Sequence, residues 1–315
     1  MDLPDYTVMS LRNPNSPQAR AYQWLEQHPN LAALQDWEMH QYMAIISIYY
    51  ATNGPASWPT DQDYSRHVLS YNTSICQWLP SVATDSGDTI LGPCRNTTEP
   101  QRITHLTLEN LLGDVMTGHL QGTIPPEIAL LTYLEEFRVV SSDLVQQSLE
   151  AFWPVELSTL PYLRKIEYWA NNLYGTIPTA VLTVPTLAHQ LTFLSLSSNT
   201  VLKGTLPTEL GLLTSLQLLY LEVNSFTGKI PSELGNLQQV QALRLYQNKL
   251  TGTIPLEITG QLSNLQTLWL ERNHLTGTLP PDLCLVHPSL APRSRVRLDC
   301  DEVPCPNNCI CGCGG

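Results

Sequence analysis

The sequence is short of charged side chains, and above all of basic ones. Charged residues make up 14% of its 315 residues, and 16 Lys and Arg stand against 28 Asp and Glu, which gives a formal net charge of −12. An average soluble chain carries roughly 25% charged residues. A chain this acidic lacks the basic surface that binds phosphate backbones, so we expect no nucleic-acid partner.

Long hydrophobic runs are missing as well. A membrane-spanning helix needs about 18 or more consecutive apolar residues. The closest stretch, residues 37–50, is shorter and contains Glu38, His40 and Gln41. We therefore predict no membrane span in this chain. The first residues are polar and include Pro4, unlike a secretory signal, so we expect an upstream signal or anchor to precede them.

The sequence also lacks the common catalytic motifs. It contains no G-x-S-x-G, no H-E-x-x-H, no phosphate-binding loop and no G-x-G-x-x-G. The eight His are scattered, and none pairs with another at metal-ligand spacing. These absences predict a protein that is not an enzyme and that uses no cofactor and no metal.

What the sequence does contain is one unit repeated along its middle. The tetrapeptide G-[TK]-[IL]-P begins at six glycines: Gly122, Gly175, Gly204, Gly228, Gly252 and Gly277. Upstream of this motif stands an L-x-L pair, whose period of two is typical of a short strand with one buried face. In five copies an Asn follows the pair, and a buried Asn amide at a bend can satisfy backbone groups of two neighbouring coils. Because one coil cannot bury its own Leu face, the pattern predicts a stacked solenoid.

The consensus L-x-x-L-x-L-x-x-N-x-L-x-G-x-I-P resembles the plant-type leucine-rich repeat of receptor-like ectodomains and polygalacturonase-inhibitor-like proteins. The flanking segments 16–25, 49–58 and 298–313 resemble those of diatom leucine-rich repeat proteins. The resemblance implies an α/β leucine-rich repeat solenoid. This solenoid would be a right-handed curved superhelix with a parallel sheet on its concave face, and the G-x-I-P segments would lie on the convex side.

Caps are predicted at both ends of the repeats, because a solenoid must close its open ends. We assign residues 1–101 to a helical N-terminal cap with a Cys pair, 102–282 to about seven repeats and 283–315 to a Cys-rich C-terminal cap. Ser16 followed by proline is typical of a helix start, and Asp36 opens a second apolar helix. These helices are expected to cover the first coil.

The eight cysteines lie only in the predicted caps, which is typical of disulfide-stabilised ends in an oxidising compartment. Cys76 and Cys94 are predicted to pair, and glycosylation sequons at Asn72 and Asn96 flank them. Six further cysteines are predicted to form disulfides whose pairing the sequence does not determine: Cys284, Cys300, Cys305, Cys309, Cys311 and Cys313. A metal site is the alternative, but the C-x2-C pairs of structural zinc sites are missing. We expect an extracellular or cell-surface location.

Candidate binding residues are those that point outward from the predicted strands. Exposed Trp and Tyr beside Arg are typical of a binding hot spot. The predicted ligand-binding residues are Arg138, Glu167, Trp169, Tyr220, Glu222, Arg244, Tyr246, Trp269 and Glu271. The plainer alternative is a ladder of aromatic rings that pack on one another across parallel strands.

One pair of carboxylates raises the question of catalysis. Glu222 and Glu271 occupy the same outward column two coils apart, which corresponds to about 9 to 10 Å. This distance lies at the edge of the spacing found in inverting glycosidases. An open sheet in water is expected to offer no means of raising a carboxyl pKa, which argues against hydrolysis.

The sequence therefore predicts a non-catalytic extracellular recognition module, receptor-like or inhibitor-like, that binds a protein or peptide on its concave sheet. The alternative is a cell-wall or mucilage polysaccharide-binding protein. In that case Trp169, Tyr220, Tyr246 and Trp269 would stack on sugar rings.

The predicted cap chemistry can be tested on protein from a secreting host. Mass spectrometry should find all thiols blocked and glycans attached at Asn72 and Asn96, because an oxidising compartment both forms disulfides and glycosylates sequons. Cys76 and Cys94 recovered free and alkylatable would refute the extracellular assignment.

Overall fold

The computed structural model describes residues 3–52, 82–83, 89–90, 102–109, 122–140, 147–278, 296–299, 303 and 312–313. The chain divides into two compact units. The first comprises Met1–Gln147 with Ala151–Leu163, and the second comprises Ser148–Glu150 with Arg164–Gly315. The three-part division at residues 101 and 282 stays a prediction.

Helices open the first unit. They are α1 (Asp5–Ser10), α2 (Pro17–Glu26), a 3-10 turn (Leu31–Ala33) and α3 (Asp36–Ala51). The hydroxyl of Ser16 caps α2 as expected, since it accepts a hydrogen bond of 3.0 Å from the backbone N–H of Ala19. The expected start of α3 at Asp36 is also confirmed. There the backbone N–H of Gln35 donates to the Glu38 carboxylate over 2.8 Å.

The N-terminal helices cover the first coil of the repeats. Gln41 on α3 accepts a 2.6 Å hydrogen bond from the backbone N–H of Ile103, ahead of the first repeat strand. In the same coil the fully buried Glu127 accepts hydrogen bonds from Thr7 Oγ1 at 2.6 Å and from Gln18 Nε2 at 3.0 Å. These polar contacts fix α1, α2 and α3 on the coil, because a buried polar group that lost its partner would cost about 1 to 3 kcal/mol.

The first unit contains two strand pairs. β1 (Val82–Ala83) and β2 (Thr89–Ile90) are antiparallel, whereas β3 (His105–Glu109) and β4 (Glu136–Val140) are parallel. The 3-10 segments Pro126–Leu130 and Val155–Thr159 belong to the same unit. A short helix, α4 (Leu149–Phe152), stands at the boundary between the two units.

In the second unit the chain alternates between two parallel sheets. The main sheet contains β5 (Lys165–Trp169), β6 (Phe193–Ser195), β8 (Leu218–Tyr220), β10 (Ala242–Arg244), β12 (Thr267–Trp269), β14 (Val296–Leu298) and β15 (Gly312–Cys313), in that order. The second sheet contains β7 (Lys203–Thr205), β9 (Ser225–Lys229), β11 (Lys249–Gly252) and β13 (His274–Leu275). Helices α5 (Thr179–Leu182), α6 (Pro185–Gln190) and α7 (Leu256–Gln261) and the 3-10 segments Thr208–Leu212 and Ser232–Asn236 connect the strands.

The predicted L-x-L pairs form the core of the stack. Leu219, Leu243 and Leu268 occupy the same register on successive strands of the main sheet, and none of them has exposed surface. The alternate residues point outward, so each coil buries one Leu face against the next coil. The stacked solenoid predicted from the repeats is confirmed.

The predicted asparagine ladder is confirmed in the second unit. The Asn199 side chain accepts hydrogen bonds from the backbone N–H groups of Asn171 (3.2 Å) and Leu173 (3.1 Å) in the preceding coil. Its amide donates to the carbonyls of Tyr168 (2.7 Å) and Leu196 (2.9 Å), one in each of the two coils. The same pattern recurs at Asn224, Asn248 and Asn273.

A left-handed residue precedes each ladder asparagine. The positive-φ residues at this position are Ala170, Ser198, Val223, Gln247 and Arg272. Left-handed backbone is unfavourable for a β-branched residue such as Val223, whose φ is 57°. The hydrogen bonds of the ladder therefore impose the turn even where the local sequence disfavours it.

The second sheet was not expected from the sequence. The G-x-I-P segments had been predicted only to lie on the convex side, but strands form at these segments or just before them. Phe226 and Leu250 point inward while Thr227 and Lys229 are exposed, which is the alternation of a strand. Each run is only two to five residues long, so its period of two was too short to recognise.

Loss of one ladder amide should destabilise the second unit strongly. Asn224→Ala removes the acceptor of the Asn199 N–H and the donor to the carbonyls of Leu196 and Leu221. Since each orphaned buried group costs about 1 to 3 kcal/mol, we expect a loss of about 2 to 5 kcal/mol in urea unfolding. Asn236→Ala, at an exposed position, is the matched control and should stay within about 0.5 kcal/mol. Equal losses at the two sites would contradict the ladder's role.

Candidate ligand-binding site

Outward side chains of the main sheet form two adjacent columns that run across the strands. The first, the Arg–aromatic column, contains Ser195, Tyr220, Arg244, Trp269 and Arg297 in register. The second, the acidic column, stands two residues further along each strand and contains Ser197, Glu222, Tyr246, Glu271 and Asp299. Parallel pairing sets neighbouring members of a column about 4.8 Å apart at the backbone.

Rings and guanidinium groups alternate along the Arg–aromatic column. The Arg244 guanidinium lies 4.1 Å from the centre of the Tyr220 ring and 4.4 Å from that of Trp269. Arg297 lies 4.2 Å from the centre of the Trp269 ring. Such cation–π contacts contribute about 0.5 to 2 kcal/mol each. The rings had been expected to be fully exposed, but Tyr220, Tyr246 and Trp269 are half-buried because guanidinium groups and neighbouring rings cover them.

The carboxylates of the acidic column lie deeper than their neighbours. Glu222 is 7% exposed and Glu271 is 6% exposed. Glu222 Oε1 is 4.0 Å from Arg244 Nη1, and Glu271 Oε1 is 3.7 Å from Arg297 Nη1. Arg244 is therefore paired with Glu222, and Arg297 with Glu271. Each glutamate faces its own arginine, since the side chains lean toward one neighbouring strand.

Three buried polar atoms of this cluster have no hydrogen-bond partner. They are Oε2 of Glu222, Oε2 of Glu271 and Nε of Arg244. In the described part of the chain only five buried side-chain atoms are left unsatisfied, so most of them gather here. Buried polar groups are nearly always hydrogen-bonded, and a concentration of exceptions marks a place where partners are missing.

The electrostatics of the cluster follow from burial. Burial raises the pKa of Glu222, although hydrogen bonds from its own backbone N–H and from Ser197, and the charge of Arg244, act in the opposite direction. Burial also raises the pKa of Glu271, against the effects of its backbone N–H and of Arg297. The expectation that an open sheet could not raise a carboxyl pKa is therefore wrong.

The structure brings together six of the nine predicted binding residues. The main-sheet cluster consists of Tyr220, Glu222, Arg244, Tyr246, Trp269 and Glu271, together with Arg297. The other three predicted residues do not join it. Two of them are on β5, two strands away from β8: Trp169, which is 44% exposed, and Glu167, which lies 3.6 Å from Lys165 Nζ. The third, Arg138, is on β4 of the first unit.

Sequence reasoning missed Arg297 as a site residue. Val296 and Leu298 continue the inward alternation of the repeats, so the outward residue between them extends the Arg–aromatic column by one strand. That signal was available in the sequence. The carboxylate of Asp299 accepts hydrogen bonds from the backbone N–H groups of Arg272 (2.8 Å) and Asn273 (3.0 Å), so it takes the place of a further ladder asparagine.

Several predicted features fall outside the described residues. The glycosylation sites Asn72 and Asn96 lie there, and so do seven of the eight cysteines. For Cys313 only the backbone is described, as part of β15. The disulfide and glycan assignments remain predictions. Within the described ranges, no helix has the length and apolar character needed to cross a bilayer.

Comparisons with known proteins agree with this architecture. The leucine-rich repeat family model matches residues 215–237 and 264–285. The ectodomain of the plant membrane receptor kinase GASSHO1/SCHENGEN3 from Arabidopsis thaliana, solved in complex with CASPARIAN STRIP INTEGRITY FACTOR 2, is 25% identical over 85% of this chain, with a TM-score of 0.53. The chain spans only 30% of the length of that ectodomain. A comparison with curated proteins finds no match.

A second solved structure, a plant ice-binding protein, is 24% identical over 88% of this chain and 87% of its own, with a TM-score of 0.55. At this identity the likeness concerns the fold alone. Together with the inward Leu pairs and the asparagine ladder, the comparisons define the chain as an α/β leucine-rich repeat solenoid. Its L-x-G-x-I-P segments resemble the plant-type leucine-rich repeat.

The raised pKa values predict a characteristic pH dependence of stability. A carboxyl whose pKa is raised by folding stabilises the protein below its ordinary pKa of about 4.5, and this contribution is lost as the pH rises through the raised value. The double variant Glu222→Gln and Glu271→Gln lacks these groups. Its melting temperature should therefore rise relative to that of the wild type between about pH 4 and pH 7. A difference that stays constant over this range would contradict the burial of the carboxylates.

Proposed function

We propose that this protein is a non-catalytic extracellular recognition module that binds a protein or peptide on its main sheet, at the main-sheet cluster. The observation that carries the proposal is the set of unsatisfied polar atoms on Glu222, Glu271 and Arg244 amid half-buried rings. A ligand that displaced the groups covering these atoms would supply the missing partners. Tyr, Trp and Arg in a partly desolvated patch are the residue types that dominate binding energies at protein interfaces.

The related receptor ectodomain supports a recognition role. That protein was solved in complex with CASPARIAN STRIP INTEGRITY FACTOR 2, so a solenoid of this kind holds a partner there. The extracellular location is supported by cysteines confined to the two predicted caps and by the sequons at Asn72 and Asn96.

Polysaccharide binding by ring stacking is the weaker alternative. A sugar ring needs an open aromatic face, but Arg244 and Arg297 lie within 4.4 Å of the centre of the Trp269 ring, and Arg244 also covers the Tyr220 ring. Trp169 is the most exposed of the four rings, and it stands apart from the cluster. The covered rings therefore favour a peptide, which can use the rings' edges and the charged groups.

The geometry also argues against hydrolysis by the two glutamates. An acid–base pair needs two environments that push the carboxyl pKa values apart. Burial instead raises the pKa of both Glu222 and Glu271, so neither is prepared as the ionised partner of the other. The proposed role is recognition without turnover.

Single substitutions in the cluster should weaken ligand binding. After a ligand is captured from a secreted protein extract, Tyr246→Ala or Trp269→Ala should lower its affinity by about 2 kcal/mol or more in calorimetry. This loss is roughly thirtyfold in Kd. Thr107→Ala on β3 of the first unit is the control and should leave the affinity unchanged. Retained affinity in the ring variants, with loss after changes outside the main sheet, would refute the proposed site.

A further inference from the structure

The missing partners in the main-sheet cluster are mainly hydrogen-bond donors. Glu222 and Glu271 each direct Oε1 toward an arginine, at 4.0 and 3.7 Å. Both distances exceed the usual length of a charged hydrogen bond, about 2.7 to 2.9 Å. Each Oε2 is buried and has no partner. Both carboxylates are thus only partly compensated.

The arginines of the cluster are held away from these oxygens. The Arg244 guanidinium lies over the rings of Tyr220 and Trp269, and the Arg297 guanidinium also lies over the Trp269 ring. A guanidinium that moved onto Oε2 would give up its ring contacts. With Asp299, the two columns carry three carboxylates and two guanidinium groups, in a chain of net charge −12. These surroundings therefore favour binding of a cationic group.

From this arrangement we infer that the ligand presents two basic side chains, one to the Glu222 carboxylate and one to the Glu271 carboxylate. The partner class is a basic peptide segment with Lys or Arg at two positions three residues apart. This inference rests on the proposed function, because it specifies the chemistry of the ligand at the same site.

The spacing of the two positions follows from the sheet. Glu222 follows β8 and Glu271 follows β12, with β10 between them, so their backbones are about 10 Å apart. A polyproline II segment advances about 3.1 Å per residue and has three residues per turn. Its residues i and i+3 therefore point to the same side about 9.3 Å apart. Tyr246, which follows β10, lies between the two carboxylates and can pack against the intervening residues.

Binding of such a ligand should weaken in acid. A basic side chain binds the ionised carboxylates, and burial raises their pKa, so protonation begins at a higher pH than for an exposed glutamate. The charged and polar groups that face Glu222 are Ser197, Arg244 and Tyr246, and those that face Glu271 are Arg297, Asp299 and Tyr246. The basic side chains of the ligand stay charged in acid. Protonation of the two glutamates therefore determines how the affinity changes with pH.

The test uses labelled synthetic peptides and the full chain, with binding followed by fluorescence anisotropy. The probe carries Lys at i and i+3 among Pro and Ser. Three comparison peptides carry Lys at i and i+1, Glu at i and i+3, and no charge. We expect the first peptide to bind at least tenfold more tightly than the others, and its affinity to fall as the pH is lowered toward about 4.

Matched variants assign the effect to the two carboxylates. Glu222→Gln and Glu271→Gln should each lower the affinity for the Lys-x-x-Lys peptide at least tenfold. Glu257→Gln on α7 removes a carboxylate outside the cluster and should leave the affinity unchanged. Circular dichroism checks that each variant is folded, and the pH titration of the wild type provides a test that needs no variant.

Each contrary outcome has a distinct meaning. Equal binding of the Lys-x-x-Lys peptide to the wild type and to both Gln variants would mean general attraction to an acidic chain, and it would overturn the inference. Preferred binding of the Glu peptide, lost in Arg244→Gln, would overturn the inference while the proposed function stands. A captured ligand whose affinity is unchanged in Tyr246→Ala and Trp269→Ala would overturn the proposed function itself.

Discussion

The asparagine ladder is the interaction on which the second unit depends. Each ladder side chain satisfies an N–H of the preceding coil and carbonyls of both coils, at a bend where strand pairing ends. Without it these buried backbone groups would have no partner. The ladder also holds a left-handed residue ahead of each asparagine, even at Val223. One repeated amide thus fixes neighbouring coils of the second unit relative to one another.

The stacking of the coils also sets the positions of the two side-chain columns on the main sheet. Because the strands of the main sheet pair in register, side chains separated by a whole repeat become neighbours at one strand spacing. That distance lets a guanidinium group lie between two rings, as Arg244 does between Tyr220 and Trp269. Candidate binding residues from different repeats thereby become neighbours on one sheet, and their order in space follows their order in the sequence.

The main-sheet cluster contains buried polar groups that lower the stability of the second unit. Two glutamates are buried with incomplete pairing, and their pKa values are raised as a result. Burial of a partly compensated charge costs stability unless further hydrogen bonds are made. The regular Leu core and the ladder offset this cost. A surface with unsatisfied groups gains more from a partner than a fully satisfied surface does, which is the physical basis of the proposed binding site.

The sequence by itself determined the repeat, the inward Leu pairs, the ladder asparagines and the outward columns, since all of these follow from short-range periodicity. Continuation of the alternation through Val296 and Leu298 also contained Arg297. The tertiary structure alone decided the second sheet, the burial of Glu222 and Glu271 and the pairing of each with a different arginine. Burial and pairing depend on the direction in which each side chain leans and on the groups that cover it. Because those groups belong to neighbouring coils, a pattern within one repeat does not encode them.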